Sequence, residues 1–103
     1  MLVLGIESSC DETAAAVVNE KREILGQSLL SQEEHKVFGG VVPEIAARSH
    51  LDHIDEIIES CVSKAGIRLE DLDAIAASSG PGLIGGVVVG VMAAKALALA
   101  LNK

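Results

Sequence analysis

The sequence predicts an α/β fold with a mixed sheet and the element order β-β-β-α-β-α. Three observations lead to this fold class. Short apolar runs separated by polar turns open the chain and indicate strands. Apolar residues then recur every three or four positions, which indicates a helix. A further short apolar run follows and leads into a long apolar segment. Because this fourth strand comes after a helix, it joins the sheet through a crossover.

The first three strands are predicted at residues 2–6, 14–18 and 24–30. The first two form a hairpin around a polar segment, and a charged turn leads to the third, which Gly26 weakens. The runs 2–6 and 14–18 are apolar without interruption. Continuous apolarity predicts that both strands are buried on both faces.

A capping-box pattern, Ser31 followed by Glu34, predicts one helical turn that ends at Gly39. Pro43 suits the first position of the next helix, where a missing N–H costs nothing. Its apolar stripe faces away from Asp52, Asp55, Glu56 and Glu59, and the helix is predicted to stop at Gly66.

The fourth strand is predicted at residues 72–77 and the last helix at 83–101. This helix is apolar except for Lys95, so it is predicted to be buried on most sides. Gly82, Gly86, Gly90, Ala94 and Ala98 recur every four places. Such a small-residue stripe lets another helix approach closely.

Composition narrows the function classes. The chain has 103 residues, 50% hydrophobic and 1% aromatic, with a net charge of −7. The apolar content excludes a disordered chain. The lack of aromatic residues argues against base-stacking nucleic-acid binders, and no basic patch attracts phosphate backbones. Cys10 and Cys61 show no disulfide spacing, which is typical of reduced cytosolic thiols. No basic segment precedes the first apolar run, so a signal peptide is not expected.

Two generic motifs fall on the last segment. Gly80, Gly82 and Gly85 match the dinucleotide fingerprint GxGxxG after a strand. Pro81 sits inside its turn, however, and the acidic ribose ligand expected about 20 residues later falls beyond Lys103. The apolar run 83–101 is also long enough to span a membrane, but Lys95 interrupts it and no basic flank precedes it. A buried soluble helix is the preferred interpretation.

The polar segment Ser8-Ser9-Cys10-Asp11-Glu12-Thr13 has two open interpretations. As structure, its Ser and Asp side chains bond their own backbone in a turn. As a site, its hydroxyls and amides cradle a phosphate while the carboxylates hold a metal or water. Cys10 has no neighbouring His or Lys in sequence to activate it as a nucleophile.

The three histidines are predicted to be structural. His50 and His53 are spaced by three, whereas a helical zinc pair usually has spacing four, and a third ligand is missing. They are therefore interpreted as surface residues, and His35 as a structural residue of the capped turn.

Three long motifs, LGIESSCDETAAAVV, HKVFGGVVPEIAARSH and SSGPGLIGGVVVGVMAAKALALA, together resemble the TsaD family. These are tRNA threonylcarbamoyladenosine transferases, long described as O-sialoglycoprotein endopeptidases or glycoproteases. The resemblance covers residues 2–103. It implies the actin-like, Hsp70-type ATPase fold, in which two lobes hold a nucleotide between them.

The resemblance also implies that residues 1–103 form an incomplete N-terminal lobe, with the second lobe absent. The family signature begins at Lys95-Ala96 and runs through a Pro to a His pair beyond Lys103. No metal ligand is therefore expected in this stretch, and His50 and His53 do not replace the missing pair. Iron or zinc, and ATP or threonylcarbamoyl-AMP, are the cofactors implied for the whole protein.

By resemblance, the first phosphate loop falls on Ser8, Ser9, Asp11 and Glu12. Asp11 and Glu12 are then the candidates nearest the nucleotide, although neither is assigned as the catalytic base. Gly80 and Gly82 are expected to shape a second loop of the nucleotide site.

The implied activity of the whole protein is transfer of a threonylcarbamoyl group from threonylcarbamoyl-AMP to N6 of adenosine 37 in tRNA. The implied partners are tRNA and, through the Gly86–Ala98 helix face, a related subunit of the actin-like (ASKHA) fold or a second copy. A cytoplasmic location without membrane attachment is expected, and this stretch alone is expected to be inactive. The alternative is an interaction module without catalysis. Protease chemistry has no support, since neither a Ser-His-Asp set nor HExxH is present.

Overall fold

A computed structural model describes the whole chain, residues 1–103. The predicted order β-β-β-α-β-α is confirmed, and the ends of the elements differ from the predicted ones by at most two residues. Two 3-10 turns, Glu34–Phe38 and Leu69–Asp71, flank the first helix. The strands are β1 (Leu2–Glu7), β2 (Glu12–Asn19), β3 (Ile24–Ser31) and β4 (Ala74–Ala77); the helices are α1 (Pro43–Ala65) and α2 (Ile84–Leu101).

The four strands form one mixed sheet in the order β3-β2-β1-β4. β1 runs antiparallel to β2 and parallel to β4, with Ile6 opposite Ala77. Parallel neighbours end at the same edge of a sheet. The turn that follows β1 and the loop that follows β4 therefore lie side by side, and this places the candidate site.

The core lies between one face of the sheet and the two helices. Leu4, Ile6 and Val17 on the sheet pack with Ile54 and Cys61 of α1. Burial on both faces was predicted for β1 and β2, and this prediction is wrong: buried and half-buried residues alternate along both strands. Both helices belong to the core cluster on the same face, so the other face, which carries Gly5, Ala14 and Ala16, is less covered.

The capping box at Ser31 is also wrong. Ser31 ends β3 opposite Glu12 and donates its hydroxyl to that carboxylate at 2.9 Å. Ser31, which the sequence pattern assigned to a helix cap, pairs with β2 as the last residue of β3 instead. The 3-10 turn begins after Glu33 instead and ends, as predicted, at Gly39, whose φ of 74° favours glycine.

α1 forms as predicted, with Pro43 at its start and Gly66 at its end. The backbone of Gly66 is left-handed, with a φ of 70°, and its N–H bonds back to the last turn. The acidic residues of its outer face are exposed. Eight residues are buried: Ala46, Ser49, His50, Ile54, Ile57, Ile58, Cys61 and Val62.

α2 is far less buried than predicted. Only Gly86, Gly90 and Ala94 are buried, while Val89, Ala93 and Leu97 are partly buried against the core. The exposed large residues of α2 are Ile84, Val88, Met92 and Leu99, which we term the outer stripe. By length and a mean hydropathy of 2.1, α2 also meets the criteria for a membrane span. This is weak support for a span, since core helices of soluble proteins meet the same criteria.

Candidate functional site

The site lies at the edge of the sheet where β1 and β4 end. Residues 8–11, which we term the polar turn, contact the loop that follows β4: the Leu83 N–H donates to the Ser9 carbonyl at 2.8 Å. A Cβ at Gly82 would lie 2.6 Å from the same Ser9 oxygen, so only glycine permits this approach. Open α/β sheets bind ligands beyond the carboxyl ends of their strands. The structure thus brings two predicted site segments together at such an edge.

Ser8 is buried and fully engaged by α2. Its hydroxyl donates to the Gly86 carbonyl at 2.7 Å and accepts from the Gly90 N–H at 3.0 Å. Glycine at both helix positions makes room for it, since a Cβ at Gly86 would lie 2.5 Å from the Ser8 carbonyl oxygen. The Ser8 side chain therefore fastens the polar turn to α2, and its hydrogen bonds are not free for a ligand.

The other predicted residues differ in what they offer. Asp11 is half-buried, and its carboxylate accepts no hydrogen bond within the chain. Glu12 is exposed at the start of β2, where it accepts from Ser31. Gly80 lies in the exposed loop after β4 with a φ of 148°, a conformation that favours glycine. Of the two candidate carboxylates, only that of Asp11 is without a partner.

Glu7 is a residue of the site that the sequence interpretation missed. Its carboxylate accepts from the Ser9 N–H at 2.5 Å and from the Ser78 hydroxyl at 2.8 Å, tying the polar turn to the loop after β4. Burial raises the pKa of Glu7, but the bonds from Ser9 and Ser78 and the nearby His50 outweigh burial and lower it. An acidic residue at the end of an otherwise apolar strand was the available signal.

His50 corrects a second interpretation. It was predicted to lie on the surface, yet it is fully buried. Its Nδ1 lies 2.7 Å from the Thr13 hydroxyl and its Nε2 2.8 Å from the Cys10 carbonyl oxygen. The prediction failed because it assigned this position to the solvent-facing side of α1, whereas this side faces the polar turn.

The remaining histidines do not join the site. His53 is partly exposed, with Nδ1 4.0 Å from Glu56. His35 is buried, contacts Gln32 and accepts from the Val42 N–H at 3.0 Å, which confirms its structural role. No three His, Cys, Asp or Glu side chains come together as a metal-binding group. Both ring nitrogens of His35 and of His50 are already bonded, so these residues do not fit a metal centre.

The backbone of the polar turn is held from three directions. The carbonyls of Ser9, Cys10 and Asp11 accept from Leu83 N, His50 Nε2 and Gln32 N, at 2.8, 2.8 and 3.0 Å. The N–H groups of Cys10 and Asp11 have no acceptor within the chain. Successive unpaired N–H groups in a turn can form an anion-binding concavity. This arrangement favours the ligand-binding interpretation over a turn whose side chains bond their own backbone.

Comparison with known proteins bears on this site. The sequence model of TsaD, tRNA N6-adenosine threonylcarbamoyltransferase, matches residues 23–103. A protein of that name from Paramagnetospirillum magneticum is 68% identical over 100% of this chain and 30% of its own length. One from Rhodospirillum rubrum is 59% identical over 98% of this chain and 30% of its own length. The chain thus spans about 30% of the relatives it matches.

Solved structures share the fold. YeaZ from Pseudomonas aeruginosa superposes with a TM-score of 0.77, covering 99% of this chain and 40% of its own, at 22% identity. A second structure, described as similar to peptidase YEAZ, gives a TM-score of 0.75 at 24% identity. At this identity the likeness concerns the fold alone.

Proposed function

The chain belongs to the TsaD family, and on that premise we propose that it forms part of a tRNA-modifying transferase. The reaction moves a threonylcarbamoyl group from threonylcarbamoyl-AMP to N6 of adenosine 37 in tRNA. The observation that carries this proposal is the polar turn, whose two unpaired N–H groups lie at the ligand-binding edge of the sheet. Backbone N–H groups suit the phosphate of an adenylate because they attract anions without adding a mobile charge.

The side chains of the site have supporting roles in this proposal. The Asp11 carboxylate repels phosphate directly, so it orients a water or a cation beside it. Gly82 lets the loop after β4 reach the polar turn, and Ser8 holds that turn against α2. Iron or zinc would need ligands beyond any that residues 1–103 offer, since no three His, Cys, Asp or Glu side chains come together there. When bound, the metal supplies electrostatic stabilisation to the donor.

Charge and location follow from the same reaction. With a net charge of −7, these residues are not the surface that attracts tRNA. We therefore propose that other parts of the enzyme, or a partner, supply the tRNA contacts. A cytoplasmic location, where tRNA is modified, completes the proposal.

Pairing through α2 is a second candidate function, supported by the outer stripe. The sequence placed the partner on the Gly86–Ala98 face, but Gly86, Gly90 and Ala94 are buried within the chain. Exposed fractions of 83% for Ile84 and 86% for Leu99 leave the opposite face available. An exposed apolar stripe of this kind fits a related subunit of the same fold or a second copy.

Transfer is tested on the complete product of the gene, mixed with threonylcarbamoyl-AMP, tRNA and its partner proteins. The expected result is a mass increase on adenosine 37, with none when the chain of 103 residues is used alone. Modification by those residues alone would contradict the need for further parts of the enzyme. Cleavage of a glycoprotein by a pure preparation, without tRNA modification, would favour a protease instead.

Association through α2 is tested by analytical ultracentrifugation, which measures the oligomeric state of the wild-type protein and of its Met92→Glu variant. This substitution puts a charge on the outer stripe. We expect the wild type to associate at micromolar concentration and the variant to dissociate. Glu59→Gln, a change on the exposed side of α1, serves as the control. A folded wild type that stays monomeric with its partners present would contradict the interaction module.

A further inference from the structure

We propose that His50 is a positioning residue that orients the Asp11 N–H toward the phosphate of the adenylate. The proposal rests on the proposed function, because it assigns a role within the same site. It concerns a histidine that the resemblance left without a role and that the sequence analysis placed on the surface.

The hydrogen bonds of His50 fix its ring. The Cys10 carbonyl oxygen can only accept, so Nε2, 2.8 Å away, carries the proton and donates. Nδ1 lies 2.7 Å from the Thr13 hydroxyl, which can donate to this nitrogen or accept from it. With no exposed surface and both nitrogens bonded, the imidazole has one orientation in the folded chain.

This orientation is transmitted through one peptide group. The Cys10 carbonyl and the Asp11 N–H belong to the same planar unit, which is trans because the only cis bond lies at Gly80-Pro81. In a trans peptide the C=O and N–H point in opposite directions. Since the carbonyl points at His50 on α1, the Asp11 N–H points away from α1, where it has no acceptor within the chain.

Packing shows that space is reserved for this ring. A Cβ at Gly86 would lie 3.3 Å from His50 Nε2, so the glycine of α2 leaves room for the imidazole. An apolar side chain would fill this buried position without the cost of desolvating two ring nitrogens. The hydrogen bond from His50 to the Cys10 carbonyl explains why a polar side chain occupies this position.

The test measures the affinity of the complete gene product for AMP by calorimetry, together with kcat and KM for threonylcarbamoyl-AMP. His50→Leu keeps the volume but removes the donor, and we expect the Kd for AMP to rise about tenfold, as for one lost hydrogen bond to a charged group. KM should rise with it and kcat should change less. His50→Gln, which retains an N–H donor and an acceptor, should recover most of the affinity.

Val17→Ala is the matched control, since Val17 is fully buried in the core on β2 but belongs to no part of the turn. It should lower stability and leave the Kd unchanged. The proposal is overturned if His50→Leu binds AMP like the wild type, if Val17→Ala weakens binding equally, or if His50→Gln is as weak as His50→Leu.

If His50→Leu does not fold, Thr13→Val tests the proposal instead, because it removes only the hydroxyl that orients the imidazole of His50. A smaller rise in Kd supports the proposal, and an unchanged Kd overturns it. If the wild-type protein neither binds AMP nor modifies tRNA, both the proposed function and the role of His50 are contradicted. If the wild-type protein modifies tRNA and His50→Leu has the same Kd for AMP, only the role of His50 is contradicted.

Discussion

The two hairpin turns of the sheet are stabilised in different ways. The turn between β2 and β3 is stabilised locally: the Asn19 side-chain oxygen accepts from the N–H groups of Lys21 and Glu23 at 2.9 and 3.1 Å. The polar turn between β1 and β2 is held instead by distant elements. Its carbonyls accept from Leu83, His50 and Gln32, and Ser8 bonds to α2.

This difference distinguishes a turn that only connects two strands from a turn that belongs to the candidate site. A turn that only reverses the chain can satisfy its backbone with its own side chains, as Asn19 does. In the polar turn the carbonyls of Ser9, Cys10 and Asp11 accept from other elements, and the N–H groups of Cys10 and Asp11 have no acceptor within the chain. Four predictions test this contrast, from the largest expected effect to the smallest.

Gly86→Ala should give the largest effect. The new Cβ would lie 2.5 Å from the Ser8 carbonyl oxygen, a backbone atom that cannot move aside easily. We expect a loss of about 3 kcal/mol in the free energy of unfolding, as for a crowded core. Urea denaturation measures it. Gly85→Ala is the control in the same helix, and an equal loss there would contradict the contact.

Ser8→Ala should cost about 1.5 kcal/mol, because it removes both buried hydrogen bonds between the polar turn and α2, while Gly86 and Gly90 can still pair with each other within the helix. Thermal denaturation followed by circular dichroism measures the change. Ser79→Ala, at an exposed serine of the neighbouring loop, should leave stability within about 0.5 kcal/mol. If both serines behave alike, the polar turn is not held by α2.

Asn19→Ala tests the other turn. It removes three exposed hydrogen bonds, so we expect a loss of about 0.5–1 kcal/mol and no effect on AMP binding by the complete gene product. Lys21→Ala, a neighbour that contributes only its backbone here, should change stability by less than about 0.5 kcal/mol. Weaker AMP binding in Asn19→Ala would remove the distinction between the two turns.

Acidification should give the smallest effect, through Glu7. Its pKa in the folded chain lies below the ordinary value of 4.5. The stabilising contribution is therefore complete above about pH 4.5 and is lost as the pH falls through the lowered pKa. We expect Glu7→Gln to lose less stability than the wild type between neutral and acidic pH, as measured by urea denaturation. Identical pH profiles would show that Glu7 does not tie the turn to the loop.

Local sequence patterns predicted the elements well, because strands, turns and helix ends depend on neighbouring residues. Pro43 and Gly66 marked the ends of α1 correctly. Burial was predicted less well: periodicity could not show that both helices cover one face, nor that the small residues of α2 face inward. Within the site, the sequence drew attention to residues 8–12, but it missed Glu7 and misplaced His50. Their roles depend on contacts with residues 71 and 40 positions away.

The bonds of Ser8 also constrain the order of folding. Its partners Gly86 and Gly90 follow it by 78 and 82 positions, whereas those of Asn19 lie within four. Contacts between distant residues require closure of a long loop before they contribute. During synthesis the turn between β2 and β3 can form as soon as it leaves the ribosome. The bonds of Ser8 in the polar turn can form only after α2 has been made. We therefore expect a chain interrupted before Gly90 to have a less ordered polar turn than the full 103 residues, because the partners of Ser8 on α2 are incomplete.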